Sequence, residues 1–304
     1  MQRSANLQSY SPNMYNNEPK MSYLSQLLVF IGLFIGFAII SSIAALAIWM
    51  ALTGKGVFTM EKDMLNPAFA NASKWTQLVA ASIMFFAPAY VFRIITHKNP
   101  MQALGFNRTI SAKQVLFVLG IAIAALFLSG ALGTLNEMIP VGAKWAARFK
   151  RLEDSYNEQV KVIAKMNNLG DYLFSLIVIA LVPAIVEEVF FRGAMQRFLQ
   201  SWTGNAWFAL IFTSIIFSAV HVSFYGFIPR AALGVILGLL FMYSNNIWLN
   251  IFSHFLNNGI AVTVMYFASK SGKPINETLD DKVPIIVGVI ALAAIIPLLV
   301  LFKN

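Results

Sequence analysis

The stretch "LVPAIVEEVFFRGAMQRF" at positions 181–198 places two adjacent glutamates, Glu187 and Glu188, in an apolar run and follows them with Arg192. Ionisable side chains within a membrane-spanning helix are costly, which makes them functional candidates by default. Glu188 and Arg192 are four residues apart, so they share a helix face and can pair. Glu187 points about 100° away from that face. An unpaired carboxylate in a medium of low dielectric is suited to act as a general base.

Pro183 lies four residues before Glu187 in the same stretch. Proline removes one backbone hydrogen bond from the interior of a helix. We expect it to open the helix where water must reach the carboxylates.

The composition of the whole chain indicates a membrane protein. Apolar residues make up 58% of the 304 residues and charged residues only 12%, whereas soluble domains carry about 25% charged residues. The net charge is +9, but the basic residues are scattered between apolar runs. We interpret them as loop and headgroup contacts and expect no nucleic acid partner. The absence of cysteine excludes disulfides, thiolate metal sites and a cysteine nucleophile.

Apolar runs predict an all-α polytopic membrane protein with eight transmembrane helices. A bilayer core needs about 20 apolar residues per helix, and backbone groups in lipid must pair within their own segment. The fourth helix carries the two glutamates, "SNN" at 244–246 separates the sixth helix from the seventh, and Pro88 is expected to kink the second. The expected spans are about 24–52, 75–95, 115–140, 172 onward, 206–221, 228–243, 247–268 and 283–302.

Two segments differ from these spans. Residues 1–20 are polar and rich in Asn and Ser, which predicts a disordered tail before one membrane domain at 21–304. Residues 143–166 mix charged and apolar residues at helical spacing. They are either one or two interfacial helices, and then a candidate lid or substrate gate, or a solvated connector helix. The counts of basic residues on the two sides of the membrane leave the orientation open.

Two of the three histidines fall in predicted spans. His221 closes the fifth span in "FSAVH", and His254 lies in the seventh in "HFLNN". His254 and Asn258 are four residues apart, so both can donate hydrogen bonds to one developing oxyanion. Asn250 precedes them by one turn on that face and is a candidate supporting residue. Each pattern also has a purely structural reading: an ion pair that fixes helix register, a satisfied interfacial histidine, and polar contacts between helices.

Three motifs together resemble a known family. "EEVFFR" (187–192), "FSAVH" (217–221) and "HFLNN" (254–258) match EExxxR, FxxxH and HxxxN, the motifs of the CAAX prenyl protease and bacteriocin-processing family of intramembrane proteases. The motifs occur in the family's order, on successive predicted helices. The resemblance covers about residues 170–262, which we expect to form the catalytic core.

The resemblance implies a role for each matched position. Glu187 activates water with the help of His221, while Glu188 pairs with Arg192 and holds the helix. Such an enzyme cleaves peptide bonds without a covalent intermediate.

The remaining matched positions imply how the intermediate is stabilised. His254 and Asn258 stabilise the oxygen of the tetrahedral intermediate, and Phe217 packs beneath the site. Zn²⁺ held by Glu187, His221 and His254 is an alternative, since two imidazoles and a carboxylate are sufficient ligands. We favour the mechanism without a cofactor.

The predicted function is therefore an intramembrane endopeptidase, a multi-pass membrane protein that belongs to the cell membrane if its source is a prokaryote. Its partners are the lipid bilayer and a peptide or protein substrate that enters from it. Two alternatives stay open: a non-catalytic immunity or scaffold protein with the same fold, and a transporter that uses buried Glu and His as a proton relay.

Overall fold

The computed structural model describes residues 21–107, 109–271 and 282–303, and within these ranges all regular structure is helical. The predicted disordered tail at 1–20 lies outside the described residues. The helices, numbered in chain order, are α1 Tyr23–Thr53, α2 Val57–Met64, α3 Pro67–Thr96, α4 Pro100–Ala103, α5 Ala112–Glu137, α6 Ala143–Ile163, α7 Leu169–Thr203, α8 Ala206–Ala219, α9 Phe227–Ser244, α10 Ile247–Lys270 and α11 Ile285–Lys303.

The predicted spans all correspond to helices. In the described part of the chain, seven helices are long and apolar enough to cross a membrane, namely α1, α3, α5, α7, α9, α10 and α11. The eighth, α8, is apolar but has only 14 residues. The protein is therefore an integral multi-pass membrane protein.

One predicted boundary is wrong. Helix α8 ends at Ala219, so His221 lies in the turn that follows and not at the end of a span. The apolar residues Val220, Val222 and Phe224 continue the hydrophobic run through this turn. The hydropathy pattern therefore does not show where the helix ends.

Residues 143–163 form the single helix α6, which is shorter than the predicted segment 143–166. Most of its side chains are exposed. The residues just after it are buried: Ala164 and Met166 pack against Val262 and Met265 of α10. This contact attaches the carboxyl end of α6 to the bundle.

Glycines bring α9 close to its neighbours. A Cβ atom at Gly234 would lie 3.0 Å from the Cβ of Ser214 on α8, and one at Gly238 would lie 3.1 Å from Oε1 of Gln196 on α7. Small residues at four-residue spacing allow such approaches between membrane helices. The carbonyl groups of the same glycines accept hydrogen bonds from Arg192 (3.1 Å) and Gln196 (3.1 Å). Helix α9 therefore supports α7 on the turns that follow the two glutamates.

Helix α7 is not a regular α-helix over its full length. Two π-helical segments, Leu176–Leu181 and Val189–Gln196, flank the α-helical turns that carry the glutamates. Such segments are frequent at functional sites. In α3, a π-helical segment, Ser82–Phe86, immediately precedes the expected kink at Pro88.

Buried aromatic rings fix α7 against α1 and α3. Phe30 of α1 lies 5.2 Å from Phe190 and 5.1 Å from Phe92, measured between ring centroids. Arg93 of α3, which is 3% exposed, donates hydrogen bonds to the carbonyls of Gly193 (2.7 Å) and Ala194 (3.1 Å) in the second π-helical segment.

Candidate active site

Glu188 is the centre of a buried hydrogen-bond network. Its side chain is fully buried, and its Oε1 accepts hydrogen bonds from Nη1 of Arg192 (3.0 Å) and Nδ1 of His254 (2.9 Å). Its Oε2 accepts from Nδ2 of Asn250 at 3.2 Å. The pairing of Glu188 with Arg192 is thus present as predicted. Asn250, expected to support the site, does so by binding this carboxylate and the Leu237 carbonyl (2.6 Å).

Glu187 lies in a different environment, although it is the adjacent residue. It is half-buried, and its carboxylate makes no hydrogen bond to any residue that the structure describes. It lies within electrostatic range of His254, Arg192 and Arg230. The two neighbouring glutamates therefore divide into one carboxylate with three donors and one that is available to water or a ligand.

His254 is oriented by Glu188. A carboxylate can only accept hydrogen bonds, so Nδ1 of His254 carries the proton and Nε2 is left for the site. The sequence places these two residues 66 positions apart, so no local pattern predicts their contact.

His221 is oriented in a similar way by its own helix. Its Nδ1 lies 2.8 Å from the carbonyl oxygen of Phe217, and a carbonyl can only accept. The Nδ1 atom therefore donates, and Nε2 of the neutral ring is an acceptor for a water proton.

The ring of Phe217 joins these elements. Its centroid lies 5.2 Å from the imidazole of His221, 6.0 Å from that of His254 and 4.7 Å from the Arg192 guanidinium carbon. The ring is 2% exposed. Side chains of helices α7, α8 and α10 thus meet around this buried phenylalanine.

Asn258 reaches α7 at a carbonyl that a proline has freed. Proline has no N–H, so Pro183 cannot donate to the carbonyl of Ile179 four residues earlier. Nδ2 of Asn258 donates to that carbonyl at 3.4 Å. The second N–H of the same amide remains for the site. Asn258 therefore binds a carbonyl that lacks its α-helical donor because of Pro183.

The turn that carries His221 is strained. Val222 has a φ of +51° and is 67% exposed, and this left-handed conformation is a true outlier for a β-branched residue. Such residues cost about 1–3 kcal/mol and persist only where surrounding contacts impose them. Two of these contacts come from Asn136 of α5, which donates to the Phe224 carbonyl (2.9 Å) and accepts from the Ile228 amide (3.0 Å).

The placement of the ionisable side chains bears on the alternative of a bound metal. Within the described ranges, no group of three His, Asp or Glu side chains is placed to hold an ion. Glu187, His221 and His254 therefore do not fit Zn²⁺ as they are placed.

A cavity of about 220 Å³ lies elsewhere, at the end of the bundle where α1 begins, and contains none of these residues. Arg93, His97, Lys98 and Arg197 contribute to its lining. Burial, together with repulsion by Arg93 and Arg197, lowers the pKa of His97 to about 4, so this imidazole is neutral at pH 7.

Comparisons with known proteins match the same part of the chain. Residues 169–260 match the family model "Type II CAAX prenyl endopeptidase Rce1-like". The chain is 32% identical over 87 residues to "Putative membrane peptidase YdiL" of Bacillus subtilis (strain 168), covering 29% of this chain and 35% of that protein. It is 28% identical over 89 residues to "Uncharacterized protein YpbD" of the same organism, covering 28% of this chain and 42% of that protein.

The similarity thus spans less than half the length of each of these curated relatives. No solved structure matches the chain. Over residues 169–260, which contain every candidate catalytic side chain, the comparisons confirm the resemblance to the CAAX prenyl protease and bacteriocin-processing family.

Proposed function

We propose that this protein is an intramembrane endopeptidase that hydrolyses peptide bonds with a water molecule activated by Glu187. One observation carries the proposal: three donors occupy Glu188, whereas Glu187 beside it has no hydrogen-bond partner among the described residues. An ion pair that only fixed helix register would need one carboxylate. The second carboxylate, within electrostatic range of the oriented imidazole of His254, has the placement of a general base.

The reaction begins with water between Glu187 and His221. The Glu187 carboxylate takes a proton from the water as its oxygen attacks the scissile carbonyl carbon. Nε2 of His221 accepts the second O–H of the same water and orients it, because its Nδ1 is held by the Phe217 carbonyl. A positioned base of this kind contributes about 10²–10⁴-fold to the rate.

The carbonyl oxygen becomes an oxyanion, and donors from α10 stabilise it. Asn258 supplies the N–H that does not bind Ile179, and His254 supplies Nε2–H as an imidazolium. The charges balance in this state, because Glu187 is now protonated and neutral, and Arg192 and the imidazolium offset the Glu188 carboxylate and the oxyanion. Buried charges are tolerated when they are paired in this way.

Collapse of the tetrahedral intermediate completes the reaction. The carbon–nitrogen bond breaks, and the leaving amine takes the proton that Glu187 removed from water. The products are a carboxylic acid and an amine, the acid passes its proton to the amine to give a carboxylate and an ammonium group, and Glu187 is again ionised. The substrate is a peptide or protein segment that reaches the site from the bilayer.

A cleavage assay tests the proposal. The purified protein in liposomes is incubated with a synthetic peptide library, and new termini are identified by mass spectrometry. We expect cleavage by the wild type and none by Glu187→Gln, His221→Ala or His254→Ala at retained thermal stability. Equal cleavage by wild type and Glu187→Gln would overturn the proposal. A cellular phenotype that survived all three substitutions would favour the alternative of a non-catalytic immunity or scaffold protein.

A chelator separates the two hydrolytic routes. We expect o-phenanthroline to leave the cleavage rate unchanged, because no step requires an ion. Inactivation by the chelator that is reversed by added Zn²⁺ would instead assign Glu187, His221 and His254 as ligands.

A further inference from the structure

Helix α6 lies outside the segment that matches the family model, since it spans Ala143–Ile163 and the match begins at residue 169. It nevertheless contacts the turn at 220–226, which carries His221, and the first turns of α9. The role that we infer for these contacts rests on the proposed function.

Three side chains of α6 make the contacts. The ring of Phe149 stacks on Phe224 with centroids 4.3 Å apart and planes inclined by 2°. Glu153 Oε2 accepts a hydrogen bond of 2.7 Å from the hydroxyl of Ser223. The ring of Tyr156 lies 5.3 Å from the guanidinium carbon of a cation on α9, Arg230.

These residues share one side of α6. Positions 149, 153 and 156 are separated by four and three residues, which places them on one face of a helix. We call Phe149, Glu153 and Tyr156 the inner face of α6. Lys150 and Asp154, which pair with each other at 3.3 Å in solvent, lie outside it.

Ser223 transmits the contact into the turn. Its hydroxyl donates to Glu153 and also accepts the backbone N–H of Gly226 at 3.0 Å. Ser223 directly follows Val222, the residue in the left-handed conformation. The hydrogen bond from Ser223 to α6 therefore acts on the residue next to Val222 and two positions after His221.

Arg230 adds a second route. A Cβ atom at Gly226 would overlap its Nη1, so the guanidinium lies directly against the turn. Its Nη1 is buried and has no hydrogen-bond partner within the part of the chain that the structure describes. Arg230 is also within electrostatic range of Glu187 and His221. Tyr156 covers this cation on the side of α6.

We propose that the inner face of α6 positions His221 for catalysis, with Glu153 acting through Ser223. Glu153 touches neither water nor substrate in this scheme and is a positioning residue. Loss of its hydrogen bond lets the turn relax, and Nε2 of His221 then no longer meets the attacking water. Misplacement of a catalytic group by about 1 Å can cost about 10²-fold in rate.

The kinetic experiment compares Glu153→Ala with two matched variants. Glu153→Gln keeps an oxygen that accepts from Ser223, and Asp154→Asn changes the neighbouring carboxylate outside the inner face. We expect Glu153→Ala to lower kcat by about tenfold at unchanged KM, with activity restored in Glu153→Gln and unaffected in Asp154→Asn.

A double-mutant cycle tests the route through Ser223. We expect Ser223→Ala to match Glu153→Ala, and the double variant to be no slower than either single variant, because both changes remove the same contact. Additive losses, or a normal kcat for Glu153→Ala, would overturn the proposal.

A spectroscopic readout works without turnover. The chain has only three histidines, so the imidazole proton–carbon NMR signals can be assigned by single His→Gln substitutions. We expect Glu153→Ala to shift and broaden the His221 signal, and Asp154→Asn to leave it unchanged. An unaffected His221 signal would refute the role of Glu153 in positioning His221, even if the protein cleaved no peptide. Cleavage that is lost in Glu187→Gln but normal in Glu153→Ala would leave the proposed function intact and refute this inference alone.

Discussion

The candidate active site and the basic cavity at the end where α1 begins both bury arginines, but they supply different acceptors. In the active site, Arg192 donates to the carboxylate of Glu188. At the cavity, Arg93 and Arg197 donate to backbone carbonyls, those of Gly193 at 2.7 Å and Ala103 at 2.7 Å among them.

The comparison teaches what the carboxylates of the active site add. Main-chain carbonyls accept hydrogen bonds in both regions, because Arg192 also donates to the carbonyl of Gly234. Glu188 adds an ion pair with Arg192 and a hydrogen bond to His254. Glu187 adds a second carboxylate that has no hydrogen-bond partner among the described residues. This second carboxylate marks the region where we place the chemistry.

The largest effect is expected at Glu187. Glu187→Gln keeps the shape of the side chain and removes the base, so we expect cleavage to fall by about 10³-fold or more with no loss of thermal stability. Peptide cleavage in liposomes and a melting curve on the same preparation measure both quantities. If Glu187→Gln cleaved the peptide normally, the chemical role that distinguishes the candidate active site from the basic cavity would be refuted.

Glu188→Gln is expected to act on stability first. It leaves Arg192 buried beside a neutral amide, and breaking a buried ion pair costs about 3–5 kcal/mol. Chemical denaturation in detergent micelles measures the free energy of unfolding. If Glu188→Gln were as stable as the wild type while Glu187→Gln unfolded, the roles of the two glutamates would be reversed.

Arg93→Gln tests the cavity region. It removes charged hydrogen bonds to carbonyls of α7, for which we expect a loss of about 2 kcal/mol in the free energy of unfolding. The cleavage rate per folded molecule should stay normal, because Arg93 touches none of the catalytic side chains. A loss of kcat as large as that of Glu187→Gln would show that the two regions act together.

The smallest effect concerns pH and His97. Its pKa is lowered to about 4 in the folded protein, against about 6.5 in the unfolded chain. The unfolded state therefore binds more protons between these values, so stability falls as the pH drops from about 6.5 to 4. We expect His97→Gln to make this fall shallower, as measured by melting temperatures across the range. An unchanged slope would mean that other groups cause it.

Much of this structure can be predicted from the sequence, because many of its features depend on residues that are close together along the chain. Apolar runs identify every membrane helix, and the spacing of Glu188 and Arg192 predicts their ion pair, since both features depend on a few consecutive residues. The end of α8 was missed because apolar residues continue into the turn. The contact of His254 with Glu188 depends on how α10 packs against α7, which no local spacing encodes.

Other features required the packed structure for the same reason. Pro183 signals an open backbone position, but only the neighbouring α10 reveals that Asn258 uses the carbonyl of Ile179. The inner face of α6 was likewise hidden, because its partners Ser223 and Phe224 lie about 70 residues further along the chain.

The left-handed conformation of Val222 makes this turn a natural target for protein engineering. Glycine adopts such a backbone at no steric cost, so a Val222→Gly exchange relieves the strain while giving the unfolded chain more freedom. Natural proteins are often less stable at sites where activity needs a constrained geometry. A Val222 variant with a higher melting temperature should therefore have a lower catalytic rate. Stability and activity would then be opposed at a single exposed valine.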